Sequence, residues 1–413
     1  MSWLDRIESE IQGWFTSPDA LRTISAELRS LAPIASVAGW TIVSRYDDVR
    51  EVLDNDRIFG VTEVYAARMD RTTGAFFLGM ENTPQYQREA GIARAAVRAE
   101  DARRIGLIVE SSARELLAAA KQRGGMFDAV GEFSRAIPIA LLREYFGVPG
   151  PDPGTMQRWM RYLFWDIFLN QDDDRAVRAK SSACSAELRA YLEGLIRERK
   201  ALVSRGDAPD DFVTRMLRQQ AADPAIDDDL IRRNVGGVVV GAVDTQSKAI
   251  AHVADELLRR PGALESARRA AAANDEAALA GHVWEALRFN PHNAVLFRRC
   301  HHDAVIAGGT DRETKVAKGS TVVALMISAM FDPAAFERPD EFLTNRPSDS
   351  YLHFGHGQHL CFGTRINGIV LPIAIKALAL LDHLAYDNER GSGKIDYEGP
   401  FPDRMLLRFD VPK

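Results

Sequence analysis

From Asp227 to Arg260 the chain keeps a helical period for more than 30 residues. Ile231, Val235, Val238, Ala242, Ala249, Val253 and Leu257 recur every three or four positions. Asp227, Asp228 and Asp229 supply an acid-rich, capped start, and Pro261 marks the end. At 1.5 Å per residue such a helix is roughly 45–50 Å long. It would cross a whole domain, so the rest of the chain has to pack around it. Inside it stand Gly236, Gly237 and Gly241, followed by Ala242, Asp244 and Thr245. Each glycine costs about 1 kcal/mol against alanine in a helix, a cost usually offset by something that approaches the backbone closely. Two readings stay open at this point. One is an ordinary helix with packing glycines. The other is a distorted turn with a small ligand against it, a hydroxyl and a carboxylate being at hand for proton delivery.

The remainder of the chain predicts a mainly α protein with small β-sheets. Helical patterns cover residues 1–30, Tyr46 to Leu53, 84–123, 127–146, the aromatic Trp159 to Phe168, and a stretch after Asp172-Asp173-Asp174 to about 200. Another begins at Asp210-Asp211-Phe212. Gly147-Val148-Pro149-Gly150 stops the 127–146 segment. Short β-like pieces fall at Trp40–Val43 and near 295–300, 304–307, 321–325 and 405–411. Residues 60–80 read as irregular, a long connection or a mobile loop over a pocket. No repeat or linker interrupts the pattern, so a single domain over residues 1–413 is the simplest organisation.

Composition narrows the function. Apolar residues are 46% and charged ones 27% of the 413 residues, as in ordinary globular proteins. A net charge of −6, without basic runs among aromatics, argues against nucleic acid. No run of about 18 apolar residues exists to span a membrane, and the first residues lack a signal-peptide core. Cys184, Cys300 and Cys361 are too few and too scattered for a disulfide framework or a zinc site. The expected setting is the cytoplasm.

Two further constellations carry chemistry. Glu285 and Arg288 stand three residues apart among Val283, Trp284, Leu287 and Phe289, which suggests a buried pair in need of further hydrogen bonds. The loop Phe354-Gly355-His356-Gly357-Gln358-His359-Leu360-Cys361-Phe362-Gly363 puts one cysteine between glycines, just before a helical pattern. The glycines permit close backbone contacts, and a helix start favours a thiolate. A nucleophile, a metal ligand and a buried thiol are all compatible with that position, although no histidine is spaced as a base for a nucleophile.

These residues resemble a known family. The loop matches the Phe-x-x-Gly-x-x-x-Cys-x-Gly haem-binding signature of the cytochrome P-450 superfamily, of the soluble bacterial type. Glu285-x-x-Arg288 resembles its Glu-x-x-Arg motif. Phe336 to Arg346 resembles its Phe-x-x-Pro…Phe…Arg segment, with Arg346 as third member of a Glu–Arg–Arg cluster. Gly241-Ala242-Val243-Asp244-Thr245 is similar to the oxygen-binding turn.

The resemblance implies a cytochrome P-450-like fold, with haem b (iron protoporphyrin IX) buried between the long helix and the cysteine loop. Cys361 is then the axial ligand, Asp244 and Thr245 the proton relay, and Gly241 and Ala242 the oxygen groove. Phe354, Gly355 and Gly363 shape the ligand loop. His359 and Arg298 hold propionates, joined by Arg88 with Tyr86, or alternatively by Arg94. The usual His-x-x-x-Arg is out of register here. Asn367-Gly368 replaces the usual Ala-Arg, and Pro372 is expected to kink the last helix.

The implied activity is a monooxygenase that inserts one atom of dioxygen into a hydrophobic small molecule. A ferredoxin or flavodoxin with an NAD(P)H reductase would supply electrons to a monomer, docking near Arg365. A peroxide-driven enzyme and a non-catalytic haem sensor are the competing readings, and the intact Asp244-Thr245 pair disfavours both. Val295, Leu296 and Phe297, with Asn293, Ala294, the stretch Val239–Ala242, Phe76, Phe77, Phe164, Trp165 and Phe168, are expected to line an apolar pocket with no anchor for a charged group.

Overall fold

The central helix runs Asp228–Leu258, 31 residues, with the Asp227 carboxylate capping the Leu230 N–H at 2.7 Å. Its apolar and small residues are buried on every side, as in a helix that passes through a core. Helices Pro153–Phe164, Arg175–Arg205, Glu276–Phe289 and Thr364–Ala379 pack against it. The computed structural model describes residues 18–170 and 173–411. The expected helix before Pro18, and Asp172 of the acidic run, lie outside the described residues.

The three glycines of the central helix do different work. A Cβ on Gly237 would stand 2.3 Å from the Phe76 ring, and one on Gly236 3.3 Å from Thr73. Those two are packing glycines. A Cβ on Gly241 would meet nothing within 4 Å, because this residue faces a cavity. The backbone stays α-helical throughout, so the distorted turn does not form. Thr245 Oγ1 instead donates back to the Gly241 carbonyl at 2.6 Å and to Ala242 at 3.3 Å.

The largest sheet has five strands in the order Ile34–Val37, Trp40–Val43, Thr321–Leu325, Val295–Cys300, Phe59–Gly60. All neighbours are antiparallel except Trp40–Val43 with Thr321–Leu325. Phe297 pairs with Val323 and Arg298 with Val322, which fixes the face on which each side chain leaves the strand. Ala304–Ile306 and Leu406–Arg408 match expectation. Thr314–Val316, Ala385–Tyr386 and the hairpin Asp396–Glu398/Phe401–Arg404 carry no local signal strong enough to read.

Residues 60–80 are more ordered than their sequence suggests. A helix spans Thr62–Arg71 and a 3₁₀ turn Phe77–Gly79. The helix buries only Tyr65 and Met69, too few for a clear period. Its ends are held from outside. Glu81 Oε1 accepts the Val61 and Thr62 N–H groups at 2.9 and 2.8 Å. At the other end Arg189 donates to the carbonyls of Asp70 and Thr72, Arg232 to Thr73 and Arg233 to Ala75. Arg71 is tied to Asp166 at 2.6 Å. Arginines at a helix C-terminus satisfy its free carbonyls and its dipole together.

The 84–123 segment is two helices, Pro84–Ala96 and Ala102–Gln122. Segment 127–146 begins as a strand, Met126–Asp128. It continues as wide π turns at Ala129–Ser134 and Leu142–Phe146 around Ala136–Leu141. Gly147, at φ +76°, ends it in the left-handed region. The last helix runs through Pro372 to Ala379.

Glu285 and Arg288 are both fully buried. Arg288 donates to Glu285 at 2.9 and 2.7 Å, Arg346 Nε at 3.2 Å, the Leu343 N–H at 2.9 Å and the Tyr351 hydroxyl at 3.0 Å. This five-donor knot locks the helix Glu276–Phe289 to the segment that leads into the cysteine loop. It supplies the extra hydrogen bonds that a buried ion pair needs.

Candidate active site

The cysteine loop is shaped by its glycines. Gly355 and Gly357 have φ of +75° and +68°. A Cβ on Gly357 would press within 2.8 Å of the Leu53 carbonyl, so no other residue fits that turn. The fold brings Cys361 N–H to the Phe354 carbonyl at 3.0 Å and Gly363 N–H to Cys361 Sγ at 3.3 Å. Burial pushes the Cys361 thiol above its usual range, and the Gly363 N–H works against that. A positive centre beside the sulfur is what a thiolate here lacks. Phe354 packs its ring 6.0 Å from Trp284 and 5.9 Å from His292.

Opposite the loop lies the Gly241–Thr245 turn of the central helix. Cys361, Phe354, Gly355, Gly363, His359, Gly241, Ala242, Asp244, Thr245, Val295, Leu296, Phe297 and Arg298 all border one cavity. Its empty space, open mouth included, is about 1610 Å³.

Two rim side chains, one arginine and one histidine, are short of partners. Arg298 is 3% exposed, its Nη1 donates only to its own strand at the Phe297 carbonyl, and its Nε has no hydrogen bond. Both ring nitrogens of His359 are buried without a partner. Burial, reinforced by Arg298, lowers the His359 pKa to about 4. Buried donors of this kind are costly unless an anion completes them. The porphyrin of haem b brings two carboxylates and needs a soft axial donor, so Arg298, His359 and Cys361 fit it by chemistry.

The structure moves the third propionate candidate. Arg88 projects from the exposed face of its helix and pairs with Asp223 at 3.4 Å, both about half exposed. It cannot reach the cavity. Arg94, further along the same helix, places Nη2 3.2 Å from the Tyr86 hydroxyl. Tyr86 is fully buried but backs the wall instead of lining it. Its ring stands edge-on to His359 at 5.9 Å, and its hydroxyl donates to the Gln358 carbonyl at 3.0 Å. Arg94 is itself exposed and does not line the cavity, but through Tyr86 it stands on the His359 side of this helix. Arg88 and Arg94 are both exposed, and what separates them is that Arg88 pairs with Asp223 whereas Arg94 contacts the buried Tyr86.

The substrate side is aromatic, with Phe76, Phe164, Phe168 and Phe401 in the wall. Val239, Val240, Phe77 and Trp165 stand behind that wall. Phe77 packs on Phe362 and Trp165 on Phe401. The wall is not uniformly apolar. Lys248 and His292 border it, as do Gln246 and Asn367, each with a buried carbonyl oxygen that has no partner. Asn367 and Gln246, which follows Thr245 where the family commonly has a second Thr or Ser, are departures from the family pattern legible in the sequence; Lys248 and His292 carried no signal beyond being polar one turn from Asp244 or next to a strand. Asp244 itself is 3% exposed with Oδ2 unpartnered. Burial raises its pKa to about 7, against the lowering pull of Arg161 and Lys248, while Glu398 adds to the rise. An acid poised there can give or take a proton near neutrality.

Comparison with known proteins agrees with this geometry. The model of the Cytochrome P450 family matches residues 39–375. Cytochrome P450 105C1 of Streptomyces sp is 29% identical over 360 residues, covering 85% of this chain and 84% of the relative. Cyclomarin C epoxidase CymV of Salinispora arenicola is 25% identical over 344 residues, 82% of each chain. The crystal structure of CalO2 superposes with a TM-score of 0.81 at 24% identity, over 95% of this chain and 96% of the other. No helix among the described residues is long and apolar enough to cross a membrane. With a family match over most of its length and a cavity framed by a cysteine loop and a glycine-bearing helix, the chain belongs to the cytochrome P450 family, monooxygenases that carry haem b on a thiolate.

Proposed function

We propose that this chain inserts one atom of dioxygen into a largely apolar organic molecule, with electrons from a separate ferredoxin and its reductase. We read all 413 residues as one catalytic unit. The observation that carries the reading is the shared cavity, in which the Cys361 sulfur and the Asp244–Thr245 pair face the same space within aromatic walls. Cys361 is assigned as axial ligand, and Arg298, His359 and Arg94 as the hydrogen-bond donors for the propionates. Haem held on a thiolate supplies the oxygen activation. The protein's part is to orient, exclude water and move protons. Thr245 holds its hydroxyl toward the Gly241 carbonyl, next to the open face left by that glycine. Asp244, one residue back and poised near neutrality, reloads the hydroxyl. Phe76, Phe164 and Phe168 orient an apolar substrate. Cyclomarin C epoxidase, a relative by sequence, bears a name that fits oxygen insertion into an organic molecule.

The test is a pair of variants assayed with a surrogate ferredoxin, its reductase and NADPH. Cys361→Ser should lose the reduced carbonyl band near 450 nm and all turnover. Thr245→Ala should keep the band while most of the consumed electrons leave as peroxide. Peroxide-supported turnover faster than the reductase-supported rate in the wild type would overturn the proposal.

A further inference from the structure

Lys248 has no role in the chemistry above, yet it is placed as if it had one. It sits one turn beyond Asp244 on the central helix, 7% exposed, in the cavity wall. An ammonium removed from water costs several kcal/mol unless partners compensate it. Among the groups that bear on it are two from different elements. One is the Asp244 carboxylate on its own helix. The other is the Pro400 carbonyl, 3.0 Å from Nζ, at the tip of the hairpin Asp396–Glu398/Phe401–Arg404.

That tip also carries Phe401, 2% exposed and part of the cavity wall. The Phe401 ring lies edge-on to Phe164 at 6.2 Å and to Trp165 at 5.7 Å. A Cβ on Gly399 would come within 2.3 Å of the Trp165 ring, so the tip is pressed into its seat.

The same hairpin anchors the other charges around Asp244. These are Arg161, from the helix Pro153–Phe164, and Glu398. Arg161 donates to Glu398 and, at 3.3 Å, to Asp403. His292 and His252 also lie within electrostatic reach of Lys248, and His252 Nε2 lies 3.2 Å from the Tyr397 hydroxyl, again on the hairpin.

We propose that Lys248 is a positioning residue that links the seat of this hairpin to the charge state of Asp244, so that a molecule lodging against Phe401 resets the proton-delivering acid. With the tip seated, the ammonium donates to the Pro400 carbonyl and makes no ion pair with Asp244, whose Oδ2 has no hydrogen bond. A ligand that lifts Phe401 withdraws the Pro400 carbonyl and turns the ammonium toward Asp244, which favours the carboxylate. The proposal rests on the monooxygenase reading only for the use made of Asp244.

Infrared difference titration of the ferric holoenzyme tests it, with the Asp244 carboxyl band assigned by its loss in Asp244→Asn. The 450 nm carbonyl band verifies each variant as intact holoenzyme. Lys248→Met should raise the pH at which Asp244 loses its proton by about one unit or more, a tenfold change in proton affinity. Lys248→Arg should return it most of the way. Lys248→Gln, which keeps a donor and drops the charge, should behave as Lys248→Met and serves if that variant does not hold haem. Phe401→Ala should lower the midpoint in the wild-type background and leave it unmoved beside Lys248→Met, a non-additivity expected only of coupled groups. An unshifted midpoint in Lys248→Met, or equal Phe401→Ala shifts in both backgrounds, overturns the proposal. Either result would leave the 450 nm band and turnover intact, so the monooxygenase reading would stand.

Discussion

Glu285 and Asp244 are carboxylates buried to 0% and 3% exposure, and they sit in opposite circumstances. Glu285 accepts five hydrogen bonds from Arg288, Arg346, Tyr351 and the Leu343 backbone. Asp244 has an oxygen with none, and Arg298 and His359 across the cavity are left short in the same way. Buried polar groups are normally satisfied. A complete network marks a part of the frame, and an incomplete one marks where the molecule expects something that its own chain does not provide. Read this way, the knot belongs to the fold and the rim to the cofactor and the reaction.

Breaking the knot should have the largest effect on stability. Glu285→Ala leaves two arginines buried without a counter-charge and should cost about 3–5 kcal/mol, seen as a lower urea midpoint and as poor recovery of holoprotein. A loss under about 1 kcal/mol would show that the knot is not what holds the cysteine loop. The rim should respond in the other sense. If Arg298 holds a propionate as proposed, Arg298→Met would remove charge-assisted hydrogen bonds worth about 1.5–3 kcal/mol. Haem should then pass to apomyoglobin roughly 10- to 100-fold faster, with no loss of haem-free stability.

A smaller effect follows from Asp244 and depends on pH. Its folded pKa, about 7, lies above the ordinary carboxylate value. Between the two the folded chain holds a proton that the unfolded chain has released, so stability falls as pH rises through that window. Asp244→Asn should therefore be neutral near pH 4 and stabilising above pH 7 by urea unfolding. Equal midpoints at both pH values would mean that Asp244 is not desolvated in solution. The smallest effect belongs to Arg88→Ala. An exposed pair contributes at most about 0.5–1 kcal/mol, and haem transfer should be unchanged, whereas Arg94→Ala should speed it.

How much of this was legible in the sequence depended on whether the cause was local. The central helix announces itself by period, cap and proline. Glu285 and Arg288 are neighbours on one helix, and Arg346, 61 positions from Glu285, was found only because a family pattern supplied it. The cysteine loop is written in glycines that the backbone requires. The helix Thr62–Arg71 escaped because its two buried side chains make no pattern and its ends are satisfied by Glu81, Arg189 and the arginines beside it. Lys248 and His292 escaped for a related reason, since a polar residue on a buried face looks like one on an exposed face until the neighbouring elements are in place. Arg88 and Arg94 could not be told apart from the sequence, because six residues along a helix change which neighbour a side chain meets, Asp223 for one and Tyr86 for the other.

The arginine clasp on residues 70–75 bears on how the pocket can be re-engineered. Three side chains, Arg189 from the helix Arg175–Arg205 and Arg232 and Arg233 from the central helix, hold the carbonyls that end the Thr62–Arg71 helix. The instructions for that wall are therefore stored in two distant cassettes. A chimera that exchanges residues 60–80 alone would import a helix without its fasteners. One that carries positions 189, 232 and 233 along with the segment would transplant the wall in its working position.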